Sequence, residues 1–234
     1  MNDLRAVVVM DYQNVHLVGH HLYDSTRHLP AHESLVDPLL FAQHLIRERN
    51  AAQRPGSPHA VLRAVEVFRG QPTPEHDQDA YARSLRQQVQ WERDKRVTVT
   101  LRPLKYEYQR DGSGRFVTDA AGRRIVVGPP REKGIDVLCA LSAVRAAQDP
   151  AVDLVIVASS DSDLAPVLDE IRRLGTAKVE TFCWWHDTRG FGYRIHPADR
   201  SRPVWNTRLG ESVFVACRDL TDYRTPVAAG APHP

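Results

Sequence analysis

The stretch that decides the fold is Leu154–Leu164, which reads LVIVASSDSDL. Its first part, Leu154–Ala158, is a continuous apolar run of the kind found in strands buried on both faces of a parallel sheet. The run ends in two serines and two aspartates, Asp161 and Asp163, and a helical pattern begins at once. The sequence therefore predicts a buried strand that leads into a helix, with two carboxylates at its carboxyl end. In open α/β sheets, that end is where ligands bind.

Other apolar runs predict further strands, with helical patterns between most of them. These runs lie at residues 5–10, 61–68, 97–101 (extending toward 108) and 178–185. This alternation indicates an α/β fold with a doubly wound, mostly parallel sheet of five to six strands flanked by helices. Residues 212–217 are predicted as a short sixth strand. With the common strand order 3-2-1-4-5, the first and fourth strands are neighbours.

Two segments are predicted to lie outside the regular strand–helix alternation. Residues 15–36, which are rich in histidine and lack a clear period, are predicted to form a long loop at the rim of the site. Residues 106–130 carry Asp/Gly turn signals and several arginines, which predicts a protruding β-hairpin inserted into a single domain of residues 1–222. We expect residues 223–234 to be a disordered tail, and we expect no internal repeat.

Acidic residues follow two of the predicted strands and open one predicted helix. Asp11 ends the first strand, and Asp136 lies in the first turn of a nearly all-apolar helix that begins near Lys133. If the strands have the order given above, Asp11, Asp136, Asp161 and Asp163 surround one crevice. Carboxylates this close repel each other, and a divalent cation compensates them. Oxygen-only ligands favour Mg²⁺ or Mn²⁺, ions that activate water and stabilise a phosphodiester transition state.

Composition excludes several other classes of protein. The net charge of the 234-residue chain is only +2, so any basic surface for nucleic acid must be local. The three cysteines are far apart and form no CxxC pair, which argues against a disulfide framework or a structural zinc site. No signal peptide and no membrane-spanning apolar run is evident. We therefore expect a cytoplasmic protein that does not interact with membranes.

Three motifs together carry a family resemblance. They are the strand that ends in Asp11-x-x-Asn14, then Lys133-Gly134-x-Asp136, and then Ser159-x-Asp161-Ser162-Asp163. In order and spacing they resemble the NYN domain family (LabA-like proteins), a branch of the PIN-like nucleases. The resemblance covers roughly residues 5–185. It implies a PIN-like α/β/α sandwich and a metal-dependent ribonuclease acting on RNA.

The resemblance also implies roles for individual residues. Asp11, Asp136 and Asp161 would be the catalytic, metal-binding carboxylates, with Asp163 as a fourth. Asn14 and Lys133 match further motif positions of the family. We expect these two residues, together with Ser160 of the third motif and Arg131 beside the predicted hairpin, to bind substrate. The chain departs from the family pattern in three places: Tyr12 and Ser160 stand where glycine is usual, and Ser142 stands where a second acidic residue often occurs.

Alternative interpretations remain open at this stage. Asp163 could be a helix N-cap, Asp136 could complement a helix dipole, and Asp11 could cap a turn. At the level of function, Ser142 is also consistent with an RNA-binding or scaffold module whose nuclease site is degenerate. A phosphatase with Asp11 as nucleophile is disfavoured, because the position two residues later is Gln13. Homo-oligomerisation is left open.

Two other clusters have competing interpretations. His16, His20 and His21 could form a transition-metal site, although a surface cluster is the simpler interpretation. Trp184 and Trp185 could provide a base-stacking platform, although only one of two neighbouring side chains in a strand can point into the core.

Overall fold

A computed structural model describes residues 3–23, 31, 34–188, 190 and 192–224. Within these residues, six strands form one sheet in the order β3-β2-β1-β4-β5-β6, and every neighbouring pair is parallel. The strands are β1 (Leu4–Asp11), β2 (Ala60–Gln71), β3 (Val97–Pro103), β4 (Leu154–Ala158), β5 (Lys178–Trp184) and β6 (Trp205–Leu209). The helices are α1 (Tyr12–Tyr23), α2 (Pro38–Ala51), α3 (Gln78–Trp91), α4 (Ile135–Gln148), α5 (Ala165–Leu174) and α6 (Glu211–Ala216). The predicted α/β fold and the order 3-2-1-4-5 are confirmed.

The central strand β1 is buried on both faces because its side chains alternate between two cores. Ala6, Val8 and Met10 pack into one apolar cluster, which also includes residues of α1, α2 and α6. Val7 and Val9 pack into the other cluster, with residues of α4 and α5. A sheet covered by helices on both sides requires this continuous apolar run. The last residue of β1, Asp11, thus emerges at the middle of the carboxyl edge, beside β4.

The prediction of a loop from residue 15 is wrong, because α1 begins at Tyr12 and continues to Tyr23. Its buried residues recur with helical spacing, but the buried face includes His16 and Gly19, which hid the period. Gly19 is required there, since a Cβ atom would lie 2.5 Å from a ring carbon of Phe214. The rest of the predicted loop, residues 24–30 and 32–33, lies outside the described residues.

The prediction of a strand at residues 212–217 is also wrong. This segment contains the short helix α6, and the sixth strand is β6, which adds to the edge at β5. Val213, Phe214 and Cys217 are buried together, which is a helical spacing despite the β-prone composition. β6 was missed because it is a half-buried edge strand in which three consecutive polar residues, Asn206–Arg208, interrupt the apolar pattern.

Helix α3 begins after its N-cap Asp77, whose carboxylate accepts from the Ala80 N–H at 2.8 Å. β3 ends at Pro103, so it does not extend to 108. Helix α4 is less buried than its composition suggested, because Val137 and Leu141 are each more than half exposed.

The inserted β-hairpin has two turns. Asp111 and Asp119 each accept hydrogen bonds from the backbone N–H groups two and four residues later. Each turn then closes on a glycine with positive φ, Gly114 or Gly122. The turns belong to an eight-residue repeat, DGSGRFVT followed by DAAGRRIV. The expectation of no internal repeat is therefore wrong.

The end of the described chain packs against the domain. Tyr223 is buried and its hydroxyl donates to Asp219 at 2.6 Å. The remainder of the predicted tail, residues 225–234, lies outside the described residues. Over the described part of the chain, no helix is both long and apolar enough to cross a membrane.

Candidate active site

The site lies where β1 and β4 end side by side. Met10 pairs with Ala158, which places Asp11 opposite Ser159. The Ser159 hydroxyl donates to Asp11 Oδ2 at 3.2 Å and accepts from the Asp161 N–H at 3.1 Å. One serine therefore connects the carboxylate at the end of β1 to the turn that carries Asp161.

A second connection joins α1 to the same turn. Asn14 Oδ1 accepts from both the N–H and the hydroxyl of Ser160, each at 2.8 Å. The Asn14 N–H in turn donates to Asp11 Oδ1 at 3.2 Å, so Asp11 also caps the start of α1. Asn14 and Ser160, both predicted to bind substrate, thus contact each other and fix the turn after β4.

Of the two aspartates after β4, Asp161 is the one that caps a turn, so the alternative interpretation of Asp163 as a helix N-cap is wrong. Asp161 is the N-cap of a short 3-10 turn at Ser162–Leu164, because its Oδ1 accepts from the Asp163 N–H at 3.0 Å. The N-cap of α5 is Leu164, which has no side-chain capping bond. Asp163 is therefore not the helix cap, and its side chain is exposed.

Asp136 lies in the first turn of α4. The N-cap of this helix is Gly134, whose positive φ of 76° suits glycine. Lys133, one residue earlier, is exposed and makes no side-chain hydrogen bond or ion pair with any described residue. Arg131 is also exposed and lies 3.8 Å from Glu107 in a solvent-exposed ion pair. The two predicted basic ligands therefore lie along the chain that leads into α4.

Glu132 is a carboxylate that the sequence interpretation missed. It accepts a short hydrogen bond from the N–H of Gly70, at the end of β2. With the Gln13 amide oriented so that its nitrogen faces Glu132, that nitrogen lies 2.8 and 3.0 Å from the two carboxylate oxygens. A Cβ atom on Gly70 would lie 2.7 Å from a Glu132 oxygen, so only glycine permits this contact. A glycine near a strand end signals that another segment approaches closely, but it does not identify Glu132 as the residue that does so.

The pKa values of these carboxyl groups depend on one another. The pKa of Asp11 is raised to about 6, mainly by burial and to a smaller extent by Asp161 and Asp136, while hydrogen bonds from Asn14 and Ser159 act in the opposite direction. The pKa of Glu132 is raised to about 7, again mainly by burial, and Asp11 contributes to this rise. The Cys139 thiol, buried on α4, has a raised pKa because of burial and then because of Asp11, Glu132 and Asp136. Asp136 and Asp161 therefore lie near enough to Asp11 to act on its pKa, and their shared role at one metal site stays a prediction.

The carboxylate oxygens of the site are donors that suit a hard divalent cation. The side chains that carry them are too far apart to form a complete coordination shell. Within residues 3–23, 31, 34–188, 190 and 192–224, no three Asp, Glu, His or Cys side chains are grouped closely enough to hold an ion. Asp11 is nevertheless a buried carboxylate with no basic ion-pair partner among the same residues. A negative group in that environment is one that a cation stabilises.

Ser142 is the position where the family pattern often has a second acid. It is buried, and its hydroxyl donates to Glu66 of β2 through a short hydrogen bond. The carboxylate next to position 142 is therefore that of Glu66, which belongs to the sheet and not to α4.

The other candidate clusters do not join the site. His16 is buried and bonds the carbonyl oxygen of Ala31, and His20 bonds the Ser34 hydroxyl. Trp184 is in the core, where its indole N–H donates to the Val15 carbonyl at 2.8 Å.

A cleft of about 550 Å³ opens beside the carboxylates. Gln13 and Gly70 line it, so it borders the Glu132 contacts directly. Three arginines, Arg69, Arg83 and Arg224, lie on its walls. Asp219 and Asp222 also line the cleft, so the space next to the candidate site is accessible to water and carries charges of both signs.

Comparison with known proteins adds one decisive observation. Residues 115–188 match the NYN domain. This match confirms the predicted resemblance, and NYN domains belong to the PIN-like superfamily. The NYN match includes Glu132, Asp136, Asp161 and Asp163, whereas Asp11 precedes it. It indicates a nuclease-like function.

No curated protein matches the chain. A crystal structure of a protein of unknown function from Vibrio parahaemolyticus RIMD 2210633 is similar, with 20% sequence identity and a TM-score of 0.42, over 77% of this chain and 82% of that chain.

The raised pKa of Glu132 leads to a prediction about stability. Because its folded-state pKa lies above the ordinary value of 4.5, the folded protein binds more protons than the unfolded chain between about pH 4.5 and 7. Stability contributed by the protonated group is therefore lost as pH rises through 7. We expect Glu132→Gln to reduce the fall in melting temperature between pH 5 and 8. Thermal unfolding followed by circular dichroism at a series of pH values measures this, and an equally steep fall in the variant contradicts it.

Proposed function

We propose that the protein is a metal-dependent ribonuclease that hydrolyses RNA phosphodiester bonds at the carboxyl edge of its sheet. The observation that carries this proposal is Asp11. It is a buried carboxylate at the end of the central strand, and its pKa is raised first by burial and then by Asp161 and Asp136. A buried carboxylate of this kind is unfavourable for stability, and it lies at the edge of the sheet where ligands bind. Both facts favour a functional role for Asp11 over a structural one.

Asp11, Asp136 and Asp161, with Asp163 at the exposed side of the turn, would hold Mg²⁺ or Mn²⁺. When bound, such an ion supplies positive charge against the carboxylates and against the charge that develops on a phosphodiester. The oxygen-only donor set supports a hard ion over zinc or iron.

The chain's own residues would position the substrate and manage protons. Asn14 and Ser159 hold the turn after β4 and orient Asp11 and Asp161 relative to each other. Lys133, exposed beside the start of α4, would bind a phosphate oxygen, and Arg131 would contact the strand farther out. Glu132, with a pKa of about 7, would hold or release a proton near neutral pH.

The decisive experiment is a cleavage assay on labelled RNA with and without divalent ions. We expect cleavage in Mn²⁺ or Mg²⁺, loss of cleavage in excess EDTA, and recovery when the ion is returned in excess. An Asp161→Asn preparation purified in parallel controls for contaminating ribonuclease. Cleavage that persists in EDTA, or that is equal in the Asp161→Asn preparation, would remove the proposal.

An RNA-binding module with a degenerate site is the second candidate. It is favoured by Ser142, which contacts Glu66 where an acid is often found, and by the incomplete grouping of carboxylates among the described residues. RNA binding without cleavage in either ion identifies this outcome.

A further inference from the structure

We propose that the insertion between Lys105 and Arg131, here called the double hairpin, is a clamp for single-stranded RNA beside the carboxylates. The inference deepens the proposed function, on which it rests for the choice of RNA. It assigns a role to a segment whose composition alone suggested a solvated surface.

The double hairpin is attached at the edge of the candidate site. Lys105 and Arg131 exchange both backbone hydrogen bonds, at 2.8 and 2.9 Å. The residue after Arg131 is Glu132, which contacts Gly70 and Gln13 in the site. The base of the double hairpin is therefore one residue away from a carboxylate of the cluster.

Two tyrosines fix the double hairpin to the loop before α3. The Thr73 N–H donates to the Tyr106 hydroxyl at 3.2 Å, and His76 Nε2 lies 2.9 Å from the Tyr108 hydroxyl. The His76 ring also lies against Tyr106, with 4.1 Å between centroids. These contacts hold the base of the double hairpin to the domain.

The double hairpin is held together by its own hydrogen bonds. Gln109, Val117 and Ile125 lie eight residues apart, and each is joined to the other two by a backbone hydrogen bond of 2.9–3.0 Å. The three short segments therefore close on each other, while the Asp111 and Asp119 turns fix their ends. A preordered surface loses little conformational entropy on binding.

Charge identifies the chemical class of the partner. The double hairpin, residues 105–131, contains six Lys or Arg against three Asp or Glu, a net charge of +3. Because the whole chain carries only +2, the rest of the molecule is slightly acidic and the basic surface is concentrated here. Contacts from Lys and Arg to phosphates supply most of the affinity in nucleic-acid binding.

The aromatic contacts favour unpaired bases. Phe116 is 37% exposed, and the guanidinium carbons of Arg110 and Arg124 lie 4.0 and 4.3 Å from its ring centroid. Tyr108 meets the same ring edge to face at 5.8 Å. Flat rings and guanidinium planes are the surfaces on which single-stranded bases stack, whereas a duplex hides its base faces. An acidic protein would form ion pairs with Arg110 and Arg124, but it would not need the Phe116 ring.

The test is the binding of a labelled single-stranded RNA to wild-type protein in EDTA, with RNA integrity checked on a gel. The first variant is Arg110→Gln with Arg124→Gln, in which glutamine can still donate to the Gly114 carbonyl as Arg110 does. The matched control is Arg54→Gln with Arg93→Gln, two exposed arginines that precede β2 and β3 at the opposite edge of the sheet. Phe116→Leu tests stacking at constant charge.

We expect the Arg110/Arg124 variant to bind about tenfold or more weakly. The slope of log affinity against log salt should fall by roughly 1.4, at about 0.7 per lost contact to single strands. Phe116→Leu should weaken binding about fivefold to tenfold with an unchanged salt slope, and the control pair should change it less than twofold. Melting temperatures that match the wild type show that each variant is folded.

Three results would overturn the clamp: equal weakening by the control pair, equal affinity for duplex RNA, or competition by an acidic polypeptide that is insensitive to Phe116→Leu. The fate of the proposed function is separate. Wild-type cleavage with unchanged binding in the Arg110/Arg124 variant leaves the nuclease and removes the clamp. If that variant loses binding and the wild type does not cleave RNA, the clamp is kept and the nuclease is removed.

Discussion

Replacing Asp11 with asparagine is expected to abolish metal-dependent RNA cleavage and to make the fold more stable. Loss of activity should exceed about 100-fold, since removing even an outer-shell partner of a metal ligand commonly costs 10–100-fold. Asparagine keeps the shape of the side chain, and its oxygen can still accept from the Asn14 N–H, as Asp11 Oδ1 does. The change therefore removes the charge and, because an amide nitrogen replaces Oδ2, also the hydrogen bond that the Ser159 hydroxyl donates there.

The gain in stability follows from the sign of the pKa shift. Burial raises the pKa of Asp11 from 3.8 to about 6, so the folded protein binds more protons than the unfolded chain between these values. Stability falls as pH rises through this window, and the full penalty is present above pH 6. At 1.36 kcal/mol per pKa unit, that penalty is at most about 3 kcal/mol. We expect Asp11→Asn to gain about 2 kcal/mol at pH 8, or about 4–8 °C in melting temperature, and almost nothing at pH 4.

Asp161→Asn is the matched comparison for this prediction. Its side chain is only partly buried and caps the 3-10 turn, a role that asparagine also performs. Cleavage should be lost to the same extent, while the melting temperature should stay within about 1–2 °C of wild type. Mn²⁺ should raise the melting temperature of wild type more than that of Asp11→Asn. If Asp11→Asn cleaves normally, or destabilises the protein at pH 8, our account of Asp11 is wrong.

Replacing Arg49 with alanine is expected to have the largest effect on stability. Arg49 on α2 and Glu180 on β5 form a two-pronged ion pair, with distances of 2.8 and 3.1 Å, and their side chains are only 3% and 7% exposed. Arg49 also donates to the Pro58 carbonyl at 2.9 Å. Alanine would leave the Glu180 charge buried without a partner, which commonly costs about 3–5 kcal/mol. Urea unfolding at pH 7 measures this loss.

The exposed pair of Arg173 and Glu170 provides the control. Its distances are equally short, 2.7 and 2.8 Å, but the side chains are 71% and 39% exposed. Arg173→Ala should therefore change the unfolding free energy by less than about 1 kcal/mol. A double variant, Arg49→Met with Glu180→Leu, should recover most of the stability. Similar losses in the two alanine variants would show that burial is not the deciding factor.

The part of the fold that the sequence predicted well is the part dominated by burial. The apolar runs of β1 and β4 have few other interpretations, and the common strand order 3-2-1-4-5, which allows right-handed crossovers, places these strands side by side. The misassigned elements are those where burial is partial or unusual. The buried face of α1 includes His16, and β6 is an edge strand with three consecutive polar residues.

The residues of the candidate site also differ in how well the sequence predicts them. Asp11, Asp136 and Asp161 were found because each follows or opens a strongly apolar element. Glu132 was not found, since it stands between two basic residues in a segment without a period. Its importance depends on the approach of Gly70 from another strand, and such a contact between distant segments is visible only in three dimensions.

The position of β1 has a consequence for the order in which the protein becomes competent during synthesis. Asp11 is made about 150 residues before its partner Ser159 and the turn with Asp161. At 5–20 residues per second, roughly 10–30 seconds separate the two events. During this time a growing chain carries Asp11, and later Asp136, without Asp161. If the proposed activity is correct, the nascent chain has no complete set of carboxylates until the turn after β4 has been made.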